Sequence, residues 1–224
     1  MAAPIYETMF YATPHFHHCL VDGRVVALDM RTTRYFLIHG ASGEALIQWE
    51  AGAEGRHSDE TFDDLLAKGY VSREQAGNRR LEACAAKPLK GRVEICVSSA
   101  NRAEYLQIAW FLATTRLRIA SGSLARTLKP MRKRAGQVPV REQQVVEDRV
   151  GRFTACRPSI PLSRVCLLDS VALYHFVGDS MTELVFGVIL DPFAAHCWLE
   201  RDGWLLNDEI DHVRRFTPIM RCRA

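Results

Sequence analysis

Residues 184–208 read LVFGVILDPFAAHCWLERDGWLLND, and this stretch decides the fold of the C-terminal part of the chain. The β-branched and aromatic side chains of Leu184–Leu190 predict a strand, which ends at an Asp-Pro turn. A second strand follows over Phe193–Glu200, and Arg201-Asp202-Gly203 has the composition of a hairpin loop. The stretch therefore predicts two neighbouring strands and a third segment, Trp204–Asp208, that returns along the second.

The register of this hairpin determines which side chain lies beside His196. With a three-residue loop at Arg201-Asp202-Gly203, His196 pairs with Asp208 across the two segments. Directly paired residues have Cβ atoms about 4.5–5.5 Å apart, so the ring and the carboxylate would share a face. A two-residue loop at Asp202-Gly203 would instead place Cys197 opposite Asp208. We predict the three-residue loop and hence a His–Asp pair.

A nucleophile for this pair is available upstream. Ser163 is a candidate cap for a helix whose first turn contains Cys166. The helix dipole and the unpaired N–H groups of a first turn favour a thiolate. Cysteine chemistry needs a thiolate, a base and a group that orients the base. The sequence therefore predicts Cys166 as nucleophile, His196 as base and Asp208 as orienting acid, with the Cys166 N–H as an oxyanion donor.

Each of these residues also has a structural explanation. Cys166 could be a small buried residue, His196 a core residue of an apolar strand, and Asp208 the turn that ends that strand. His175 lies on the same helix as Cys166, more than two turns further along, and is a poor base. The chain has seven cysteines and no Cys-x-x-Cys pair, so we predict neither a disulfide framework nor a metal site. The remaining cysteines are expected to be packing residues: Cys19, Cys84, Cys96, Cys156, Cys197 and Cys222.

Composition narrows the class of protein. The 224 residues are 48% apolar and 25% charged, which excludes a mostly disordered chain, a collagen-like repeat and a coiled coil. The N-terminus has neither the basic leader nor the apolar run of a signal peptide. No window approaches the roughly 18 uninterrupted apolar residues of a membrane span. We therefore expect a cytoplasmic protein with reduced thiols and no membrane partner.

The charge is unevenly distributed and indicates two units. The net charge of +3 is the sum of −4 over residues 1–83, from 8 basic and 12 acidic side chains, and +7 over residues 84–224, from 21 and 14. Residues 84–100 are charged, contain Pro and Gly and lack periodicity, so they are predicted to be a linker. Residues 101–224 then form the second domain.

The first unit reads as three short strands followed by short helices. The strands are predicted at Phe16–Val21, Arg24–Met30 and Tyr35–Ile38. One helix is expected over Gly43–Ala51 with Ser42 as its cap, and another opens at Ser58. This order predicts a small winged-helix-like unit.

A basic run follows the linker region. Residues 101–135 are predicted to be helical with an interruption at Ser121-Gly122, and a further helix is expected over Arg141–Phe153. Between Tyr105 and Arg141 there are eight basic residues and no acid. Such a run is either a solvated helix face or a contact for an acidic partner or nucleic acid. A winged-helix DNA-binding protein is disfavoured, because the predicted helix at residues 60–66 carries acids where DNA recognition needs Arg or Lys.

The C-terminal pattern has a counterpart in a known family. Its residues are Cys166-Leu167 with Ser170, Ala172 and Leu173, then Leu184–Val188, Asp191–Glu200 and Asn207-Asp208. Over about residues 105–215 the chain resembles the transglutaminase-like cysteine peptidases of lasso peptide biosynthesis, the leader-removing B proteins. The family pattern is a Cys-Leu opening, a V-I-G-V strand, a P-F-x-A-H-x-W-x-E strand and a terminal N-D. Phe186 stands here where the family usually has Ile.

The first unit resembles the peptide-recognition element of ribosomal-peptide modification systems. The resemblance lies in Val26–Asp29, Arg34–Phe36, Gly40–Gly43, Leu46 and Trp49, with an unusually short region between the helices. It implies that a precursor's leader peptide binds as an added strand on the edge of the third strand. The implied leader-binding residues are Tyr35, Phe36, Leu37, Phe62, Leu65 and Leu66.

Together the two resemblances imply an α+β protein. A winged-helix-like peptide-recognition element at residues 1–83 is joined by a linker at 84–100 to a transglutaminase/papain-like cysteine peptidase domain at 101–224. The implied activity is cleavage of the leader from a lasso precursor peptide, without a cofactor. The freed amine then passes to a separate ATP-dependent cyclase related to asparagine synthetases. An amide acyltransferase or transglutaminase on the same Cys–His–Asp scaffold is the alternative.

Overall fold

The computed structural model describes residues 10–51, 59–75, 77–95, 98–133 and 136–223. The chain divides into one unit of residues 1–84 and a second of residues 85–224. This boundary lies within one residue of the change in charge at position 83. None of the helices in the described ranges has both the length and the apolar character that crossing a bilayer requires.

The first unit is built on an antiparallel meander in the order β2 (Phe16–Val21), β3 (Arg24–Asp29) and β4 (Arg34–Ile38). Asp22 and Gly23 both have positive φ, 49° and 72°, which suits a two-residue hairpin between β2 and β3. The three strands and two helices of the sequence prediction are present. The elements are β1 Tyr11–Ala12, β2 Phe16–Val21, β3 Arg24–Asp29, β4 Arg34–Ile38, α1 Gly40–Glu50, α2 Asp59–Ala67, β5 Val71–Ser72 and β6 Arg79–Arg80.

The start of α1 differs from the prediction. The N-cap is His39, without a side-chain cap bond, and the helix begins at Gly40 rather than Gly43. Ser42 therefore does not cap the helix. Its hydroxyl donates to the Thr61 carbonyl over 2.6 Å and so joins α1 to α2. The predicted opening of the second helix at Ser58 lies outside the described residues.

The second unit is a five-stranded sheet with helices, and its strand order is β11 (Thr217–Arg223), β8 (Thr182–Ile189), β9 (Ala194–Arg201), β10 (Trp204–Leu205) and β7 (Gly91–Arg92). All described neighbours pair antiparallel except β10 and β7, which pair parallel. Its elements are β7 Gly91–Arg92, α3 Arg102–Ala120, α4 Leu124–Lys133, α5 Gln143–Cys156, a 3-10 turn at Arg157–Ser159, α6 Cys166–Val177, β8 Thr182–Ile189, β9 Ala194–Arg201, β10 Trp204–Leu205, α7 Ile210–Val213 and β11 Thr217–Arg223.

Part of the predicted linker belongs to this sheet, which corrects the linker interpretation of residues 84–100. The Lys90 N–H donates to the Gly203 carbonyl and the Val93 N–H to the Leu205 carbonyl, over 2.8 and 2.9 Å. Val93 is buried. A strand of two residues is too short to show an alternating pattern. The charged composition of this segment, with its Pro and Gly, therefore predicted a linker.

α6 packs on β9 and against α3, and its interior is almost entirely apolar. This burial fixes the helix on the sheet, and Cys166 is its first residue. The site therefore lies where the N-terminal end of α6 meets the central strands.

Candidate active site

Cys166 is placed by the start of α6. The N-cap is Val165, in extended conformation and without a side-chain cap, so the predicted cap Ser163 is wrong. The first-turn position of Cys166 is as predicted. The unpaired backbone N–H groups of a first turn favour an anion near the start of a helix.

The loop before the nucleophile is held by a buried arginine that sequence analysis missed. Arg157 is 5% exposed, and its Nε donates to Asp169 over 2.7 Å. Its other nitrogens donate to the carbonyls of Ile160, Leu162 and Ser163 over 3.0–3.3 Å. Since Asp169 is on α6, this one side chain ties the approaching loop to the helix that carries Cys166.

His196 lies in β9 opposite Gly187 of β8. Its ring stacks on Trp198 at 5.9 Å between centroids and lies 5.2 Å from Phe216. A Cβ at Gly187 would come within 2.7 Å of the Trp198 ring and 2.8 Å of the Phe216 Cβ. Glycine is required at this position because the aromatic rings that support His196 fill the space.

The predicted hairpin register is wrong. Trp204 pairs with Arg201 and Leu205 with Glu200, which leaves a two-residue loop. Both loop residues, Asp202 and Gly203, have positive φ, 49° and 85°, and a two-residue turn of this kind fits the twist of the strands.

His196 and Asp208 nevertheless meet, by a different route from the one predicted. The strand ends at Leu205, and Asp208 lies outside the ladder. The Leu206 N–H donates to the Leu199 carbonyl over 3.0 Å, and beyond it the chain turns back toward β9. The Asp208 carboxylate then accepts a hydrogen bond from His196 Nε2.

Asn207 is a second residue whose role sequence analysis did not assign. Its Oδ1 accepts the Leu199 N–H over 2.8 Å, and its Nδ2 donates to the Ser170 hydroxyl over 2.8 Å. Ser170, fully buried on α6, in turn donates to the Cys197 carbonyl over 3.2 Å. Asn207 thus joins the turn that presents Asp208 to both β9 and the nucleophile helix.

Cys166 and His196 are charged partners. Hydrogen bonds from the Cys197 thiol and the His196 ring, with the charge of that ring, outweigh burial and lower the pKa of Cys166 to about 4. Burial alone lowers the pKa of His196, but its hydrogen bonds to Asp208 and Cys166 and their charges raise it to about 9. Near neutral pH the pair is therefore thiolate and imidazolium. Because Nε2 faces Asp208, Nδ1 is the nitrogen left for the sulfur.

Cys197 has a role beyond the predicted packing. It is buried, and the hydrogen bond that its thiol donates to Cys166, together with burial, raises its pKa well above the ordinary value. Its backbone N–H also faces the Cys166 sulfur and helps to lower the pKa of Cys166. In sequence, Cys197 reads as an inward-facing strand residue, because strand periodicity does not show that α6 begins opposite it.

Asp208 has a second histidine partner. His212 Nδ1 lies 2.9 Å from Asp208 Oδ1, four residues along the turn into α7, and its ring centroid is 4.7 Å from that of His196. Burial opposes ionisation of Asp208, but hydrogen bonds from His196 and His212 hold its pKa below the ordinary value. The i, i+4 spacing of Asp208 and His212 was the signal that sequence analysis left unused.

The same three side chains are a possible ligand set for a metal ion. The ligand atoms of His196, Asp208 and His212 lie within 4.8 Å of one another. Two imidazoles and a carboxylate suit zinc. In the structure these atoms are joined to one another by hydrogen bonds, which explains their proximity without an ion. The absence of a metal stays a prediction.

The predicted leader-binding residues divide between surface and core. Tyr35, Phe36 and Leu37 lie on β4 and are half-buried. Phe62 and Leu65 are 0% and 2% exposed and belong to the core of the first unit, while Leu66 is half-buried against it. The buried pair has almost no exposed side-chain surface, and its part in leader binding stays a prediction. The apolar stripe of α2 packs into the core of the first unit, and the helix contacts α1 and β5.

Comparison with known families covers half of the chain. Residues 109–221 match the model of the transglutaminase-like superfamily. The chain belongs to the transglutaminase-like superfamily. The matched region begins within α3, ends in β11 and includes Cys166, His196 and Asp208. No curated protein and no solved structure matches the sequence.

Membership of the transglutaminase-like superfamily fits the geometry described above. Its domains are typically cysteine-based enzymes, and the scaffold suits a cysteine peptidase or an acyltransferase. Both activities use an acyl-enzyme on the thiol and differ in the group that attacks it.

Proposed function

We propose that this transglutaminase-like protein is a cysteine peptidase that removes the leader from a lasso precursor peptide. The observation that carries the enzymatic part is the thiolate–imidazolium pair of Cys166 and His196, held by Asp208. Such a pair is already charged for attack on an amide carbonyl, and no cofactor is needed.

The proposed reaction has two stages. The Cys166 thiolate attacks the scissile carbonyl, and the His196 imidazolium gives its proton to the leaving amine as the C–N bond breaks. His196, now neutral, takes a proton from water, which attacks the acyl-enzyme and releases the thiolate. Asp208 holds the imidazole orientation through both stages, and the Cys166 N–H donates to the oxyanion.

The first unit supports a peptide substrate. β4 has a strand neighbour on one side only among the described residues, so its other edge offers N–H and C=O groups. A leader added there would gain backbone hydrogen bonds and hold the scissile bond at a high effective concentration near the second unit. The freed core amine is the group that an ATP-dependent, asparagine-synthetase-like cyclase would consume.

Mass spectrometry of a lasso precursor peptide incubated with the protein tests the proposal. We expect two fragments, leader and core, whose masses sum to that of the precursor plus one water, with the leader ending in a free carboxylate. Cys166→Ala should abolish cleavage while leader binding, measured by fluorescence anisotropy, is retained. Cys222→Ala, a thiol outside the site, is the matched control. Cleavage by Cys166→Ala would contradict the proposed nucleophile.

An acyltransferase is the second candidate, because the superfamily scaffold allows an amine to replace water in the second stage. The same incubation with an added primary amine distinguishes the two. Product carrying the amine in place of water favours transfer, and product carrying only water favours hydrolysis.

A further inference from the structure

A cleft of about 440 Å³ opens beside the C-terminal end of α6. Cys166 is at the other end of this 12-residue helix, so the two places are separated by about 18 Å along its axis. The cleft walls come from α3, α5, α6 and the segment of residues 137–141. None of the triad residues lines it.

The polar lining of the cleft contains two arginines and no acid. Arg141, Arg149 and His175 face it together with the amides of Gln107 and Gln137, and no acidic residue is among those that line it. Burial, and after it the charge of Arg141, lower the pKa of Arg149, so the two guanidinium groups repel each other. An anion between them would remove this repulsion.

Each guanidinium is oriented by one bond and keeps donors for a ligand. Arg141 Nε donates to the Gly178 carbonyl over 2.7 Å, and one terminal nitrogen of Arg149 donates to the Phe176 carbonyl over 2.5 Å. Among the described residues their remaining N–H groups have no hydrogen-bond acceptor. Two carboxylates near the cleft are already paired: Asp179 accepts from the Arg141 backbone N–H, Thr182 and Arg201, and Glu104, whose charge raises the pKa of Arg149, accepts from Arg152 over 2.6 Å.

We propose that this cleft binds a small phosphate-bearing anion. Two arginines with fixed orientation present the paired N–H groups that phosphate oxygens accept, and the glutamine amides add neutral donors. The ring of Phe111 forms an apolar wall next to these donors, 5.7 Å from His175, where an organic substituent of the phosphate would lie. This site is separate from the catalytic centre and does not depend on the proposed peptidase activity.

Isothermal titration calorimetry of the full chain with inorganic phosphate tests the site, at ionic strength held constant with sodium chloride. Gln107 is exposed, so Gln107→Glu places an acid in the cleft without removing a hydrogen bond of the fold. We expect it to weaken phosphate binding at least tenfold. Arg149→Lys keeps the positive charge but loses the paired N–H donors of the guanidinium, and we expect phosphate affinity to fall about tenfold.

Ala113→Glu is the matched control, because it adds the same charge to the exposed face of α3 outside the cleft. It should bind phosphate as the unmodified chain does, and so should Cys166→Ala. Titrations with glycerol phosphate and pyrophosphate then distinguish a phosphomonoester from free phosphate as the preferred source. The inference is overturned if no saturable binding is seen, or if Gln107→Glu and Ala113→Glu bind phosphate equally.

Discussion

At the scale of single residues, the chemistry depends on charge states that neighbours impose. Cys166 would be an ordinary thiol without the Cys197 and His196 hydrogen bonds, and His196 would be mostly neutral at pH 7 without Asp208 and the thiolate. The reactive pair is therefore a property of contacts between four side chains.

The pH dependence of alkylation follows from these pKa values. Because the pKa of Cys166 is about 4 and that of His196 about 9, the thiolate–imidazolium pair exists between them. We expect the rate of iodoacetamide reaction at Cys166 to be nearly constant from about pH 5 to 8, whereas a thiol of ordinary pKa, about 8.5, reacts faster with each rise in pH. Under the proposed function, peptidase kcat/KM should fall below pH 4 as the thiolate is protonated and above pH 9 as the imidazolium is lost. In His196→Ala the alkylation rate at pH 6 should drop at least tenfold, and an unchanged rate would disprove the pairing.

His212 tests the second hydrogen bond to Asp208. His212→Ala removes one of the two histidine donors to this carboxylate, so the orientation of His196 is less restricted. We expect kcat to fall about tenfold with KM unchanged, and Asp208→Ala to have a larger effect. Asp211→Ala, which alters an exposed neighbour on α7, is the control and should behave like the unmodified chain.

At the scale of elements, two local features position the site. Gly187 of β8 lies close to the Trp198 ring and to Phe216. Asn207, just after β10, holds the turn that presents Asp208. Both depend on small or polar residues that hydrophobic periodicity does not detect. Trp198 and Glu200 of β9 add side-chain contacts of the same kind. Trp198 Nε1 donates to Glu200 over 2.7 Å, and Glu200 also pairs with Arg221 over 2.6 Å.

Gly187→Ala tests the close contact of β8 with Trp198 and Phe216. The added methyl meets the Trp198 ring and the Phe216 Cβ, so β8 or both rings must shift. We expect a loss of about 1–3 kcal/mol in the free energy of unfolding, measured by urea denaturation. A variant as stable as the unmodified chain would show that the rings do not fill this space.

Asn207→Ala tests the hydrogen bonds that hold the turn before Asp208. It leaves the Leu199 N–H without its acceptor and removes one of the two partners of the Ser170 hydroxyl, in a part of the chain where Leu199 and Ser170 are fully buried. We expect a cost of about 1–3 kcal/mol in unfolding free energy and a fall in kcat, because Asp208 is no longer fixed beside His196. Asn207→Asp keeps the acceptor and should retain more stability than the alanine variant.

At the scale of the whole molecule, the two units divide binding from chemistry under the proposed function. Tyr35→Ala, on the edge strand, should weaken precursor binding while hydrolysis of a short peptide is unchanged. Leu65→Ala is the contrasting variant, because it empties part of the core and should cost about 2–5 kcal/mol in unfolding free energy of the first unit. Equal loss of short-peptide hydrolysis in Tyr35→Ala would contradict the division.

The sequence by itself determined the elements and the candidate triad. The strand pattern of residues 184–200, the charge change near residue 83 and the first-turn position of Cys166 are local properties, and local periodicity and composition report them well. It also predicted Cys166, His196 and Asp208 as one set, and in the structure His196 interacts with both Cys166 and Asp208.

Only the tertiary structure decided how these residues meet. The two-residue turn gives a strand register in which His196 and Asp208 are not paired. After Leu205, Asn207 binds the Leu199 N–H, and the Asp208 carboxylate that follows it accepts the hydrogen bond from His196. Other contacts also depend on segments that are not neighbours in sequence. They are the hydrogen bond from the Cys197 thiol to Cys166, the bonds by which Arg157 joins the loop to α6, and the burial of Phe62 and Leu65. The physical reason is that hydrogen bonds and close packing are set by distances in space, whereas sequence periodicity specifies only which face of its own element a residue occupies.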